Sequence, residues 1–447
     1  MNELFTVTLV GAGSTVWGAT MAIDILLQRN LPLKTLILYD INAERLVLVE
    51  RLVTKAVKQL GLKVEVKATT NAKEAVTNAR FILTSIHVGG DDSWTKDVRI
   101  PHEFGIYQSV GDTIGPGGLM RGLRNIPVLV HLAKLLEKVG HKDATIIQLS
   151  NPMNPICAAL TKATKVPVIG ICHGVMDTEQ ILSNTTGIPI QDIKVVAAGN
   201  NHFLFADHFK LGDKIYDGNW DKVPSVFYDA YPLMKDMLDR FGVFTINNPR
   251  HPAEFLPWYN TKENNWGADW GFSIEPGEIT RREKAEINER VPSNLLHMQS
   301  SGNIVEELKR KVNLNTPLQL TKSREKVADL MAALLTHGDC FIHVNISNYG
   351  AVPGVFDEAN LELPAQVIAG KLYRIQTKLL PEKIRVEVDR IAREQIMVAD
   401  AALTGDRELA IKSLDIDALV PNHEVALNVF NLLIESYREY VHPKFFN

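Results

Sequence analysis

The sequence predicts an α/β fold, with a helix-covered parallel sheet in the N-terminal half and a mixed α+β region after it. Short apolar segments alternate with longer helical patterns through the first two hundred residues, which is typical of such a sheet. After about residue 205 this alternation ends. At about 150 residues per domain, a chain of 447 residues favours more than one domain. We expect an N-terminal domain over residues 1–200 and a second domain over residues 201–447, for substrate binding and oligomerisation.

The strands of the parallel sheet are predicted where apolar and β-branched residues cluster. They are Thr6–Val10, Thr35–Tyr39, Lys63–Ala68, Phe81–Ile86, Thr145–Leu149, Val166–Ile171 and Lys194–Ala198. Before the fifth of them, apolar residues recur at helical spacing from Ile126 to Val139, and Gly140 is a typical helix end. Helical patterns return at Arg324–Leu335 and Val425–Tyr440, with a β-like segment over residues 340–354 between them.

Charge and cysteine content exclude several classes of protein. Lysine and arginine total 48 and the acidic residues 52, a net charge of −4 that gives no overall attraction to nucleic acid. Three cysteines are too few, and odd in number, for a disulfide framework. The N-terminus lacks the basic residues of a signal peptide, and no apolar stretch reaches the ~18 residues that span a membrane. We therefore expect a cytoplasmic protein without nucleic-acid or membrane partners.

A glycine-rich turn follows the first predicted strand and opens an apolar helix. Gly11, Gly13 and Ser14 stand where the backbone N–H groups of such a turn bind a pyrophosphate, although Gly18 follows Gly13 by five residues rather than the usual three. The second strand is followed by Asp40, where a carboxylate binds the ribose hydroxyls of NAD and repels the 2′-phosphate of NADP. The sequence therefore predicts a Rossmann-type, NAD-binding domain. A glycine-rich turn that binds no nucleotide is the alternative.

Polar motifs follow several predicted strands, at the edge of the sheet where open α/β proteins bind their ligands. They are Gly111–Gly118, Ser150–Asn154, Cys172–Gly174 and Gly199–His202. A thiolate and an imidazole form a suitable pair for a divalent transition metal, so Cys172 and His202 are candidate ligands of an open, catalytic metal site. A buried core thiol and a hydrogen-bonded loop histidine explain these two residues equally well.

Several segments, in their order along the chain, resemble the NAD- and manganese-dependent glycosidases of glycoside hydrolase family 4. They are GAGS, YQSVGDTIGPGGLMRGLRNIPV, SNPMN, ICHG, GNNHF, HPAEFLP and VNISNYGAVPG. The resemblance spans about residues 7–419 and is strongest towards the α-galacturonidase branch. It implies a fold similar to that of lactate and malate dehydrogenases, and a homo-oligomer that is a dimer or a tetramer.

The resemblance also implies a hydrolase that works through redox chemistry. NAD takes a hydride from C3 of the sugar, the C2 proton is removed beside the new ketone, and the metal stabilises the resulting enediolate. The C1 oxygen then leaves by elimination, water adds, and the hydride returns. Cys172 and His202 match the metal ligands of the family, and Asn151 matches the asparagine that holds substrate hydroxyls. The residues that match its cofactor contacts are Gly11, Gly13, Ser14 and Asp40.

The groups that transfer protons are less clearly marked by the resemblance. Asp112, in the G-x-[DE]-T-x-G-P-G-G loop, is a candidate acid towards the leaving oxygen. Tyr259 and His251 are candidates for the base at C2. His173 and His87 stand where phospho-sugar members carry Asp and Arg, which favours an unphosphorylated glycoside. His173 is also a candidate catalytic or substrate-contacting residue.

A uronate substrate needs a cationic group to bind its carboxylate. Candidates are His87, Arg121, Arg124 and Arg250. The leading prediction is an NAD- and Mn²⁺-dependent glycosidase for a small α-glycoside, an α-galacturonide in the first place. The alternatives are an α-galactosidase, α-glucosidase or α-glucuronidase of the same family, and an NAD-dependent 2-hydroxyacid or sugar dehydrogenase. A non-catalytic, NAD-dependent regulator is a further hypothesis.

Overall fold

The structure is a computed structural model that describes residues 4–14, 17–261, 263–264, 267, 270, 306, 309–310, 312–313 and 316–446. The strands of this part all belong to one sheet. They are β1 (Phe5–Val10), β2 (Leu33–Tyr39), β3 (Glu65–Thr69), β4 (Ala79–Thr84), β5 (Thr145–Gln148), β6 (Val168–Gly170), β7 (Ile193–Asn200), β8 (Phe203–Leu211), β9 (Lys214–Tyr216), β10 (Thr245–Ile246), β11 (Cys340–Ser347), β12 (Asn360–Ile368) and β13 (Lys371–Arg374).

The α-helices of the same part of the chain cover this sheet. They are α1 (Trp17–Leu27), α2 (Ala43–Gln59), α3 (Ala72–Val76), α4 (Gly90–Glu103), α5 (Gly115–Val139), α6 (Met153–Ala163), α7 (Gly174–Thr186), α8 (Ser225–Ala230), α9 (Pro232–Phe241), α10 (Arg250–Ala253), α11 (Val327–Thr336), α12 (Glu382–Thr404), α13 (Arg407–Asp415) and α14 (His423–Ser436). Short 3₁₀ helices lie at Ile190–Asp192, Trp220–Lys222, Pro257–Tyr259 and Pro443–Phe446.

The N-terminal strands form the parallel sheet that the sequence predicts. Their order is β3-β2-β1-β4-β5-β6, the arrangement of a Rossmann fold. Because both faces are covered, these strands are rich in buried apolar residues, as in β1 (FTVTLV) and β4 (ARFILT). The order reverses between β1 and β4, and ligands of such sheets bind at this switch point. The predicted fold class is confirmed.

Strands from the C-terminal half extend the sheet in antiparallel fashion. β11 pairs with β6, β12 pairs with both β11 and β7, and β8 pairs with β7. The prediction that the strand at Lys194–Ala198 belongs to the parallel sheet is therefore wrong, because β11 and β12 lie between β6 and this strand. The local sequence does not show which strands pair when they are this far apart in the chain. The domain boundary at residue 200 stays a prediction.

Helix α5 begins earlier than its apolar pattern predicts, because the Gly-Pro-Gly-Gly segment forms its first turn. Pro116 stands at the start of the helix, where its missing N–H leaves no helical bond unmade. A Cβ atom on Gly117 would lie 2.7 Å from the Gly111 carbonyl oxygen, and one on Gly118 would lie 2.5 Å from the Thr113 carbonyl carbon. The glycines therefore let the preceding loop pack closely against the helix.

Arg124 holds helices together and does not face a substrate. It is fully buried and donates to both carboxylate oxygens of Asp97, at 2.9 and 2.6 Å. The Tyr437 hydroxyl donates to the same carboxylate at 2.7 Å, and the Arg124 guanidinium lies over the Tyr437 ring. These contacts join α5, α4 and the end of α14. The prediction that Arg124 is a candidate clamp for a substrate carboxylate is therefore wrong.

We expect Arg124→Ala to lower the free energy of unfolding by about 3–5 kcal/mol, because it leaves the Asp97 carboxylate buried and unpaired. Chemical denaturation followed by circular dichroism measures this change. Arg438→Ala, which removes an exposed ion pair with Glu435, is the matched control and should have little effect. Equal losses in the two variants would contradict the structural role of Arg124.

Candidate active site

The glycine-rich turn after β1 packs against two neighbouring strand ends. The backbone N–H groups of Gly11 and Ala12 both donate to the Tyr39 carbonyl oxygen, at 2.9 and 3.0 Å. Gly11 has a φ of +86°, and a Cβ atom there would lie 1.9 Å from the Ser85 carbonyl oxygen. A Cβ atom on Gly18 would lie 2.2 Å from the Ala12 carbonyl oxygen. The displaced third glycine therefore still allows α1 to pack closely on the turn.

Asp40 faces this turn from the end of β2. Its Oδ2 accepts the Gly13 N–H at 2.7 Å, and its Oδ1 accepts the Asn42 N–H at 2.8 Å. The Ser14 hydroxyl oxygen accepts the Trp17 N–H at 3.2 Å, at the start of α1. The structure thus brings Gly11, Gly13, Ser14 and Asp40 together at one end of the sheet, and their role as cofactor contacts stays a prediction.

A group of buried carboxylates and an imidazole lies where three segments meet. Asp112 belongs to the loop before α5, His202 to the two-residue turn between β7 and β8, and Glu254 follows α10. One possible ligand atom from each residue lies within 4.8 Å of the others. His202 has a φ of +71°, a backbone conformation that few non-glycine residues adopt. Such strain is commonly found at functional sites.

Asp112 is surrounded by donors. Its Oδ1 accepts the Thr113 hydroxyl at 2.7 Å, and its Oδ2 accepts the Asn151 amide at 3.1 Å. Arg121 Nη1 lies 3.4 Å from the same Oδ2. Burial alone would raise the pKa of Asp112, but the charges of Arg121 and His202 and these hydrogen bonds lower it below its ordinary value. Asp112 is therefore ionised at neutral pH and has no proton to donate.

The two histidines of the group are neutral. Burial lowers the pKa of His202 to about 4, against the opposing effect of Asp112. Burial, together with the charge of Arg250, lowers the pKa of His251 well below its ordinary value. The two ring centroids lie 4.1 Å apart, and His251 Nδ1 is buried without a hydrogen-bond partner among the described residues. The structure therefore brings His251 next to His202, and its role as a base stays a prediction.

Glu254 was not among the residues predicted from the sequence. It is fully buried, and its Oε1 accepts the N–H groups of Gly111 and Asp112 at 2.6 and 3.3 Å. Its Oε2 is buried without a hydrogen-bond partner among the described residues. Burial and the charge of Asp112 raise the pKa of Glu254 well above its ordinary value. A glutamate inside the apolar segment AEFLP was the available signal, since Glu is almost never fully buried unless it is paired.

Cys172 lies on the other side of the turn that carries His202. Its thiol is hydrogen-bonded by the Asn201 side chain and the Gly174 N–H, and burial and the nearby Glu362 carboxylate raise its pKa. The Asn201 amide donates to Glu362 Oε2 at 2.7 Å, and Glu362 is fully buried. The close group of Asp112, His202 and Glu254 does not include Cys172. Its role as a metal ligand stays a prediction.

His173 lies beside the start of α1. Its Nε2 is 3.5 Å from Asp177 and its Nδ1 is 3.7 Å from Glu325, and its ring centroid is 5.7 Å from that of Trp17. The charge of His173 contributes to the lowered pKa of both His202 and His251. His173 therefore lies between the glycine-rich turn and the buried group.

Tyr259 contacts a different part of the protein. Its hydroxyl donates to Asp236 Oδ2 at 2.5 Å, and its ring packs against Trp258 and Trp270. Burial raises its pKa, and the residue has no exposed surface. The structure therefore does not bring Tyr259 to the other predicted site residues, and its assignment as a base finds no support in these contacts.

The candidate carboxylate-binding residues differ in their surroundings. Burial and the charges of Arg121 and Arg124 lower the pKa of His87 well below its ordinary value, so it is neutral. Arg121 is already paired with Asp112. Arg250 is partly exposed, its charge acts on His202 and His251, and among the described residues its guanidinium has no ion pair. Of the four candidates, Arg250 is therefore the one most available to a ligand.

The fold and the site together define a Rossmann-type α/β protein with a glycine-rich turn after its first strand and a buried carboxylate–imidazole group. Comparison with known families gives the more specific class. The chain belongs to the family 4 glycosyl hydrolases: the model of that family matches residues 6–188, and the model of its C-terminal domain matches residues 197–420. The protein is therefore a hydrolase that acts on glycosyl bonds. Among the described residues, no helix has the length and hydropathy needed to cross a membrane.

Individual relatives agree with this membership. The α-galacturonidase of Thermoanaerobacter italicus is 28% identical over 468 residues, covering 98% of each chain. The lplD protein of Bacillus subtilis has a TM-score of 0.83 at 25% identity, covering 96% of this chain and 99% of its own. A 6-phospho-α-glucosidase from gut microorganisms, in complex with NAD and Mn²⁺, has a TM-score of 0.77 at 18% identity, covering 98% and 99%. Malate dehydrogenase of Salinibacter ruber shares the fold, with a TM-score of 0.52 at 13% identity over 90% and 99%.

Glu362 gives the site a pH-dependent contribution to stability. Burial raises its pKa to about 7, from 4.5 in an unfolded chain. A carboxyl whose pKa is raised by folding stabilises the native state below its unfolded pKa, and this contribution is lost as the pH rises through the folded pKa. The uncharged glutamine of Glu362→Gln does not undergo this loss. We therefore expect the free energy of unfolding of the variant, relative to that of the wild type, to rise by up to about 3 kcal/mol between pH 4.5 and pH 8.

Urea denaturation of the metal-free protein across this pH range measures the difference. Glu358→Gln, at an exposed position, is the control and should follow the wild type. Parallel curves for wild type and Glu362→Gln would show that the carboxyl does not titrate as the structure implies.

Proposed function

We propose that the protein is an NAD- and Mn²⁺-dependent glycosidase for a small unphosphorylated α-glycoside, with an α-galacturonide as the preferred substrate. The observation that carries the proposal is the buried group of Asp112, His202 and Glu254 within 4.8 Å, in a chain whose first strand ends in a Rossmann-type glycine turn. The similarity to an α-galacturonidase over 98% of both chains supports the choice of sugar. A related fold in complex with NAD and Mn²⁺ supports the choice of cofactors.

The residues of the group fit a divalent cation. Imidazole nitrogens and carboxylate oxygens are suitable ligands for manganese. The buried Oε2 of Glu254, which has no hydrogen-bond partner among the described residues, is such an oxygen. In this proposal His202 and Cys172 hold the ion, as the family resemblance implies, and Asp112 and Glu254 offer further oxygens. The burial that raises the pKa of the Cys172 thiol means that metal binding must displace a proton from it.

The glycine turn fits a dinucleotide. Gly11, Gly13 and Ser14 lie directly before α1, where helix N-termini favour a pyrophosphate. Asp40, which is tied to Gly13 by a hydrogen bond of 2.7 Å, would bind the ribose hydroxyls. When bound, NAD and the cation supply reversible oxidation at C3 of the sugar and stabilisation of negative charge on its oxygens.

The remaining steps fall to the side chains of this protein. In the proposal, the neutral His251 takes the C2 proton, and His173 gives a proton to the leaving oxygen. Asp112 is ionised, so we assign it to orienting Asn151 and Arg121 rather than to acid catalysis. The side-chain Nδ2 of Asn151 donates to Asp112, which leaves its side-chain Oδ1 to accept a hydrogen bond from a sugar hydroxyl. Tyr259 has no part in this scheme.

A glycosidase assay tests the proposal directly. With NAD and Mn²⁺, the protein should release nitrophenol from nitrophenyl α-galacturonide faster than from the α-galactoside, α-glucoside or α-glucuronide, and chelation should stop the release. No net NADH should form, because the hydride returns to the product. Deuterium at C2 of the sugar should slow release, since that bond breaks in the proposed scheme.

The outcomes separate the proposal from its alternatives. Steady accumulation of NADH would favour a 2-hydroxyacid or sugar dehydrogenase. Release without an isotope effect at C2 or C3 would mean direct displacement at C1. A protein that binds NAD but turns over no glycoside would favour a non-catalytic regulator.

Arg250 should determine preference for an acidic sugar, because its guanidinium has no ion pair among the described residues. We expect Arg250→Ala to lower kcat/KM on the galacturonide by about 10- to 100-fold, the worth of a hydrogen bond to a charged group, and to change the value on the galactoside much less. Arg240→Ala, which removes a surface pair with Asp236, is the matched control. An equal loss on both sugars would contradict a role in carboxylate recognition.

A further inference from the structure

The Thr113 hydroxyl lies between two members of the buried group. It donates to Asp112 Oδ1 at 2.7 Å, and it lies 2.9 Å from His202 Nδ1. Thr113 is itself buried, with 2% of its surface exposed. A hydroxyl has one proton and two lone pairs, so the direction of one of its hydrogen bonds determines the direction of the other.

The direction of the bond to Asp112 follows from the other contacts of that carboxylate. Asn151 Nδ2 and Arg121 Nη1 approach Asp112 Oδ2 at 3.1 and 3.4 Å, and both groups can only donate. Asp112 Oδ2 is therefore an acceptor, and in its ion pair with Arg121 the group is a carboxylate whose Oδ1 also accepts. The single proton of Thr113 then goes to Oδ1. The Thr113 oxygen must then accept from His202, so His202 Nδ1 carries the hydrogen.

This assignment determines the state of the other ring nitrogen. A neutral imidazole carries one hydrogen, so His202 Nε2 is left with its lone pair available. We propose that Thr113 is a positioning residue, which orients His202 and fixes its tautomer so that Nε2 is free to bind the divalent cation. The inference rests on the proposed function for the identity of the cation. Residues of this kind, which bond the far side of a metal-binding histidine, commonly raise metal affinity.

The backbone around Thr113 is held firmly enough for this role. Glu254 Oε1 accepts the N–H groups of Gly111 and Asp112, and the Thr113 carbonyl packs against Gly118 in the first turn of α5. On the other side, the His202 ring contacts that of His251, with centroids 4.1 Å apart. Thr113 and the His202 imidazole are thus each held in place by other residues as well as by each other.

The test compares Thr113→Val, which keeps the shape and loses the hydroxyl, with Thr113→Ser, which keeps the hydroxyl. Binding of Mn²⁺ is measured by electron paramagnetic resonance of the free ion, without NAD or glycoside. We expect Thr113→Val to bind Mn²⁺ about 10- to 100-fold more weakly and Thr113→Ser to remain close to the wild type. NAD affinity should be unchanged in both, and saturating Mn²⁺ should restore much of the kcat of Thr113→Val.

Two results would overturn the inference. One is a Thr113→Val protein that binds Mn²⁺ as tightly as the wild type. The other is a nitrogen NMR spectrum of the metal-free wild type, with the His202 signals assigned by their loss in His202→Gln, that shows hydrogen on Nε2. This second measurement needs no folded Thr113 variant. A wild-type protein that binds no Mn²⁺ would instead overturn the proposed function, and this inference with it.

Discussion

One carboxylate oxygen of Glu254 joins the two halves of the chain at the site. It accepts the N–H groups of Gly111 and Asp112, in a loop more than a hundred residues earlier in the chain. An unpaired backbone N–H in a buried place is costly, so this loop has its lowest free energy where Glu254 meets it. The loop carries Asp112 and Thr113, and Thr113 in turn contacts His202. The contact with Glu254 therefore helps to position Asp112 and Thr113 in the site.

Burial lowers the pKa values of the histidines of this site and raises that of Glu254, so it favours the uncharged form of each. It keeps His202 and His251 neutral and favours the protonated form of Glu254. Asp112 stays ionised because Arg121 and its hydrogen bonds outweigh the cost of burial. Asp112 is paired with Arg121, whereas the Arg250 guanidinium has no ion pair among the described residues. A substrate carboxylate would meet this charge, whereas a neutral sugar would leave it unused.

The sequence predicts the strands of the Rossmann part well, because buried parallel strands are marked by their apolar residues. It fails where distant segments pair: nothing local places β11 and β12 between β6 and β7. The same is true of the site: residues that belong to local motifs are predicted, and a residue whose partners lie far away in the chain is not. Asp112, Asn151 and His202 were found from motifs at strand ends, and the structure brings them together. Glu254 was missed, since its partners are backbone N–H groups that no motif shows.

Tyr259 illustrates the limit of reading a role from a neighbouring motif. It lies only a few residues after His251, yet the two side chains belong to different clusters. The 3₁₀ turn at Pro257–Tyr259 carries its hydroxyl to Asp236 on α9, while His251 packs on His202. The short separation of His251 and Tyr259 in the sequence therefore does not bring their side chains to the same site.

The hairpin turn between β7 and β8 connects the two candidate metal ligands. Asn201 hydrogen-bonds the Cys172 thiol and donates to Glu362, while its neighbour His202 faces Thr113 on the other side. A movement of this turn would therefore displace His202 and disturb the hydrogen bond between Asn201 and the Cys172 thiol. Since His202 sits at a φ of +71°, the turn has few alternative conformations of low energy.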